Sequence, residues 1–221
     1  FSLRSLVVLF IILFGGTAPR IAAAAIPASE PAQLLASASF AEATSVAAWI
    51  QATKDNADLQ FMIIDKVNAR LFLFDGKGRL DASTPVLLGL ARGDVSPPGI
   101  GTRKLSAIKP AERITPAGRF VTGPGEDIDG TDLVWLDYDA AIALHRASDR
   151  KPGMASTSRV ERLSSSTSAE KRVSLGCVNV SAAFYDQHIK PTFGGSKGVV
   201  YILPETRSAI IEFRMPAQSA G

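Results

Sequence analysis

The sequence predicts a mostly-β domain, a sandwich or partly closed barrel carrying one or two short helices. Three observations predict it. Between residues 59 and 205, short apolar runs recur, each bounded by Gly, Pro, Asp or Ser turn signals. Helical periodicity is confined to one Ala-rich stretch before that region and one short segment near its end. A hydrophobic content of 46% suffices for a core, and a charged content of 20% argues against disorder. No internal repeat is present.

The chain opens with "FSLRSLVVLFIILFGGTAPRIAAAAIPASE". Arg4 is followed by the apolar run Leu6–Phe14, then Gly15 and Gly16, then Ala22–Ala25. A positive start, a short apolar run and an Ala-x-Ala exit describe a secretory signal. The run falls short of the ~20 apolar residues of a spanning helix. Residues 1–25 therefore read as a signal peptide. An uncleaved anchor is the alternative, since Arg20 follows the run, and a membrane is a partner only in that case. Residues 26–57 read as a linker and a helical segment. Pro and Ala fill 26–33, and 34–54 has few breakers. Val46, Trp49 and Ile50 fall at i, i+3, i+4 on one helical face, with Thr44 or Ser45 as a cap.

The domain itself spans 58–207, with 208–221 as a C-terminal tail. Phe61–Ile64 and Arg70–Phe74 are apolar runs, "DGKG" at 75–78 is a hairpin turn, and Pro85–Leu90 is the expected return strand. A Gly- and Pro-rich loop comes next at 93–101. "ITPAGRFVTGPG" at 114–125 holds a turn and then a short strand. "DLVWLDY" and "AAIALHRAS" read as two more strands. Residues 149–172 are rich in Ser, Arg and Lys and read as a surface insertion or lid. "AAFYDQHIKPTF" reads as a helix ended by Pro191, and "GVVYILPE" at 198–205 as a buried closing strand.

Net charge is +3, and Lys and Arg are scattered without a basic block interleaved with aromatics. Nucleic acid is not an expected partner. One Cys and two separated His make a poor zinc set, so neither a metal nor another cofactor is expected. Export places the chain in an oxidising compartment, where a lone Cys cannot form an internal disulfide. Cys177 is then buried and inert, paired with another chain, or a reactive thiol.

Cys177 lies in "RVSLGCVNV", residues 172–180. A cysteine nucleophile needs a thiolate, a base and donors for an oxyanion. Gly176 permits a positive φ and close backbone approach, which suits a turn whose N–H groups face a reacting carbonyl. Ser174 precedes it, and Asn179 is placed to fix the turn. The bland reading is a small core residue, since free Cys is among the most buried types. His145 ends the apolar run "AIALH", where a sheet presents a side chain at its edge. It reads equally as a satisfied strand-end histidine. His188, beside Tyr185, Asp186 and Gln187, reads as exposed on a helix.

Taken in order, these pieces resemble L,D-transpeptidase catalytic domains of the YkuD type. That family places a His on a strand, followed by Ser/Thr-His-Gly-Cys-hydrophobic-Asn or -Arg. Here His145 is followed by "SLGCVN" at 174–179. "MIIDKVNARLFLFDGKGRL" resembles the opening hairpin, "TPAGRF" at 115–120 the turn ahead of the active site, and "VVYILPE" the closing strand. The resemblance covers 59–205. It implies that Cys177 is the acylated nucleophile and His145 the base. Ser174, Gly176, Asn179 and the Cys177 N–H would shape the turn and oxyanion site. A backbone carbonyl, rather than an acidic third member, would orient the imidazole, leaving Asp137 and Asp139 as surface or turn carboxylates.

The implied reaction is acyl transfer on peptidoglycan stem peptides. The thiolate attacks the bond before a terminal D-Ala, and an amine then accepts the acyl group. Water as acceptor gives an L,D-carboxypeptidase, and a protein amine gives wall anchoring. The implied location is periplasmic, or secreted and associated with the cell wall. Leu175 replaces the family's His before Gly-Cys, which raises a catalytically silent wall-binding domain as an alternative. An unrelated β-rich binding module with a buried Cys is a further one. The segment between His145 and Cys177 exceeds the family's usual gap. Arg162, Leu163, Ser165 and Arg172 fit a long-insert branch, and Arg146 stands where many members have Gly. Stem peptides carry carboxylates, which Arg pairs with in bidentate fashion. Arg172, Arg162 and Arg146 are therefore the candidate substrate contacts, against a solvated insertion as the plainer reading.

Overall fold

The computed structural model describes residues 30–148 and 158–216. The signal segment 1–25, residues 149–157 of the insertion and the last residues of the tail lie outside the described residues.

Helix α1 covers Glu30–Thr53. It begins inside the expected 26–33 linker. Pro31 stands in its first turn, where a missing N–H breaks no intrahelical bond. Ala43, Val46, Ala47 and Ile50 make its buried stripe, and Trp49 packs at the margin. Two hairpin strands come next, β1 (Phe61–Asp65) and β2 (Arg70–Phe74). The Asp75 carboxylate accepts from the Lys77 and Arg79 N–H groups, closing the turn at Arg79. The chain therefore returns at once as β3 (Leu80–Pro85), earlier than the expected 85–90. Beyond Pro85 the chain peels away from this sheet and forms the two-residue β4 (Leu88–Gly89). Three one-turn 3₁₀ segments then wind through 100–112.

The second half supplies β5 (Gly118–Val121), β6 (Gly123–Glu126), β7 (Asp132–Asp137) and β8 (Ile142–Arg146). Helix α2 (Arg159–Leu163) is capped by Ser158 and Glu161 in a reciprocal box. Then come β9 (Arg172–Ser174), β10 (Val178–Val180) and, after a helical run, β11 (Val199–Ile202). One sheet has the order β3-β2-β1-β11-β5, and a second the order β10-β8-β7-β6. Strands β4 and β9 form a separate pair. The β1–β11 and β8–β10 pairings are parallel.

Layering explains the apolar runs. Phe61, Ile63, Phe72, Phe74, Val199 and Tyr201 face α1. Met62, Ile64, Leu71, Leu73, Val200 and Ile202 face the other way, against Val134, Leu136, Ile142, Leu144 and Val178. The central strands β2, β1 and β11 of the larger sheet are buried on both faces, so they read as continuous hydrophobic runs, whereas the edge strands β3 and β5 are partly exposed.

The expected mostly-β sandwich or partly closed barrel with one or two short helices is corrected. The domain is mixed α/β with open sheets. The larger ends on the edge strands β3 and β5, and the second on β6 and on β10, where Asn179 also bridges to Leu87. A helix of 24 residues covers the outer face. A second helical run continues from Ala182 to Phe193 rather than ending at Pro191. Pro191 lacks an N–H and its ring crowds the preceding turn. Residues Tyr185–Ile189 widen into a π-turn just before it, so the helix passes through. Tyr185, Ile189 and Phe193 lie buried in the core, which rewards the continuation.

The insertion is not wholly at the surface. Leu163 is buried with Leu87 and Ala147 and packs beside Val173. In the tail, Ala209–Phe213 forms a short helix whose Phe213 stacks on Trp49 at 6.1 Å. Among the described residues no helix is long and apolar enough to cross a membrane.

Candidate functional site

Parallel pairing of β8 with β10 sets His145 opposite Asn179 and Leu144 opposite Val178. Leu144 and Val178 point into the core. Side chains alternate along a strand, so His145, Asn179 and Cys177, two residues before Asn179, share the other face. With strands ~4.8 Å apart and ~3.3 Å of rise per residue, the Cys177 and His145 backbones lie about 8 Å apart. Their side chains line one pocket of about 220 Å³, together with Ser174, Leu175 and Arg159. Ile100, Leu105, Ile108 and Ile142 make its apolar walls.

The turn before β10 is built residue by residue. Gly176 has φ of +135°. A Cβ on it would sit 2.6 Å from Ile142 Cδ1 and 2.8 Å from the Ile114 carbonyl oxygen. Ser174 closes the turn from inside: its hydroxyl donates to the Cys177 carbonyl at 2.6 Å and accepts the Gly176 N–H at 3.1 Å. Gly176→Ala is expected to lower stability by about 1–3 kcal/mol through backbone strain alone, plus the cost of the two contacts. Thermal unfolding checks this, and an unchanged melting temperature would contradict it.

Cys177 is half-buried and lines the pocket. Burial pushes the thiol up, while the Ala143 N–H and the Arg159 guanidinium pull the other way. At neutral pH the thiol therefore needs a base to react quickly. Its hydrogen bond goes to the Ala141 carbonyl at 3.8 Å, not to the imidazole. His145 Nδ1 lies 3.1 Å from the Arg146 carbonyl and 3.2 Å from the Asn179 amide nitrogen; the carbonyl can only accept, so the Arg146 contact is a hydrogen bond in the tautomer that carries the proton on Nδ1. Nε2 is then the basic nitrogen, and the Asn179 amide nitrogen lies 2.9 Å from it. Taking a proton from Cys177 requires Nε2 to exchange the Asn179 N–H for the thiol. The Asn179 side-chain amide oxygen, Oδ1, is buried without a hydrogen-bond partner among the described residues. Asn179 thus contacts the ring, and Ser174 does the turn-fixing expected of it.

The three arginines expected at the substrate sit elsewhere. Arg172 is buried against Glu205 at 2.5 Å and donates to the Lys66 carbonyl at 3.1 Å. Arg146 pairs with Asp132 at 2.9 Å and Asp186 at 2.5 Å, its guanidinium 4.0 Å over the Tyr185 ring. Arg162 donates to the Glu170 carbonyl at 3.0 Å. None of them lines the Cys177 pocket; among the described residues, Arg159 and Arg103 do. Arg103 pairs with Glu112 at 2.9 Å. No spacing in the sequence singles out Arg159. His188 packs against Phe184, the rings tilted with centroids 4.7 Å apart, and does not line the pocket. Asp137 accepts the Ala140 N–H in a turn. Among the described residues, no group of three or more His, Cys, Asp or Glu stands close enough to hold a metal.

A residue the sequence marked only as part of a turn proves central. Thr115, of "TPAGRF", is 1% exposed, and its hydroxyl donates to the Gly176 carbonyl at 2.8 Å. No protein-family model matches this chain, and no curated protein matches it.

Proposed function

We propose that the chain is an exported cysteine acyltransferase of the L,D-transpeptidase type, acting on peptidoglycan stem peptides in the periplasm or cell wall. One observation carries the reading. Cys177 stands on a glycine turn directly before β10 and lines a pocket that His145, on the paired strand β8, also lines. In the proposed cycle His145 Nε2 takes the thiol proton. Sulfur attacks the carbonyl before the terminal D-Ala, and the C–N bond breaks. The imidazolium protonates the leaving amine, and a thioester remains on Cys177. An acceptor amine then attacks the thioester, its proton passing to His145, and the thiolate is released. Water in place of the amine gives carboxypeptidase chemistry.

The Arg146 carbonyl supports the base assignment, because it favours the tautomer with the proton on Nδ1 and leaves Nε2 as the basic nitrogen. A second reading, a silent wall-binding domain, draws on Leu175 in the pocket wall and on the Asn179 contact to Nε2. Digestion of tetrapeptide muropeptides separates the two. The expected result is release of D-Ala, with crosslinked dimers or shortened stems, absent in Cys177→Ala. Tight muropeptide binding without D-Ala release, unchanged in Cys177→Ala, would favour the silent domain.

A further inference from the structure

We propose that Thr115 is a positioning residue that aims the Cys177 N–H into the pocket as an oxyanion donor. The inference rests on the reading of Cys177 as an acylated nucleophile.

Thr115 is held through both its side chain and its own peptide. Its hydroxyl accepts the Gly89 N–H at 2.8 Å and donates to the Gly176 carbonyl at 2.8 Å. Its main-chain carbonyl accepts from the Lys66 ammonium at 3.0 Å. That ammonium is itself wholly buried, and it also donates to Asp94 at 2.8 Å and to the Gly93 carbonyl at 2.6 Å. The hydroxyl is therefore a fixed post, not a rotor.

The Gly176 carbonyl belongs to the same peptide unit as the Cys177 N–H. In a trans peptide unit, C=O and N–H point in opposite directions. Pinning the carbonyl to Thr115 therefore turns the N–H away from Thr115. Cys177 lines the pocket and Thr115 does not. The Cys177 N–H also lies close enough to its own sulfur to favour the thiolate. An oxygen developing on a carbonyl carbon bonded to that sulfur forms beside this donor. Gly176, at φ +135°, is free to rotate its peptide, so it supplies no restraint of its own. Thr115 supplies it.

The test compares two reactions of the full chain at the same thiol. With p-nitrophenyl acetate, sulfur bonds to the acetyl carbon and the carbonyl electrons move onto oxygen. They return as the C–O bond breaks, p-nitrophenolate leaves, and an S-acetyl group remains. With iodoacetamide, sulfur displaces iodide from a saturated carbon and no oxyanion forms. Removing an oxyanion donor costs about 10²–10³ in rate, and misaiming one is expected to cost about 10–100-fold. Thr115→Val should lose that factor with p-nitrophenyl acetate while its iodoacetamide rate changes less than about twofold. Thr115→Ser, which keeps the hydroxyl, should restore acylation to near the parent rate. If Thr115→Val fails to fold, Thr115→Ala carries the same expectation. Equal losses in both reactions, or no loss in either, would overturn the proposal. A parent protein that alkylates but never acylates overturns the nucleophile reading and this inference with it. Acylation without any muropeptide turnover would remove the substrate proposal and leave Thr115 standing.

Discussion

His145→Ala is expected to slow acylation of Cys177 at pH 7 by about 10²–10⁴-fold, the usual contribution of a general base. The sign of its pH dependence is set by the thiol. Burial raises the Cys177 thiol above its ordinary value, so the thiolate is scarce at neutral pH and grows as pH rises. The variant should therefore regain rate as pH climbs through that raised value, where the thiol ionises unaided. The parent should already react near neutrality. Rates of p-nitrophenyl acetate acylation from about pH 6 to 10 measure both curves. If His188→Ala shows the loss and His145→Ala does not, the base has been misassigned.

Lys66→Met is expected to cost about 3–5 kcal/mol of stability, the range for removing one partner of a buried ion pair. Lys66 is 0% exposed and its three ammonium donors are all used. The substitution removes the Lys66 cation from Asp94 and Glu205, whose side chains are 2% and 1% exposed, leaving Glu205 the Arg172 guanidinium and the Gly93 N–H. Burial alone would raise the Asp94 carboxyl. Hydrogen bonds from Lys66, Thr206 and the Glu205 and Thr206 amides outweigh it and hold the group well below the usual carboxylate range. A depressed carboxyl contributes stability that is present above its unfolded value, about 4, and is lost as pH falls through the lower native value. Urea unfolding at pH 7 measures the Lys66 effect, and a loss under about 1 kcal/mol would contradict it. Because Lys66 also holds the Thr115 carbonyl, a folded Lys66→Met protein should acylate more slowly than it alkylates.

How much of the molecule is legible in the sequence depends on the range of each signal. The Val46–Ile50 stripe and the hairpin runs at 61–64 and 70–74 are local periodicities, and they appear where expected. His145 and Cys177 share a pocket because one lies in β8 and the other directly precedes β10, its paired strand. The hidden features depend on partners distant in the chain. Arg172 reads as a substrate contact or a solvated cation until Glu205 is seen against it. Pro191 reads as a stop until the π-turn and the burial of Phe193 carry the helix past it. Thr115 reads as a turn residue because its acceptor, Gly176, lies 61 positions away. The barrel expectation failed for the same reason. Strand runs indicate burial, but which strands stay on free edges is settled by pairings such as β1 with β11.

The central claim is that Cys177 is a nucleophile served by this pocket. Intact mass of the purified chain after incubation with a carbapenem tests it most directly, since that ring opens on an active thiol of the L,D-transpeptidase type. The expected result is one stable adduct, absent in Cys177→Ala and slow to form in His145→Ala. No adduct, with a Cys177 that also resists iodoacetamide in the folded protein, would contradict the account and return Cys177 to an inert wall of the core.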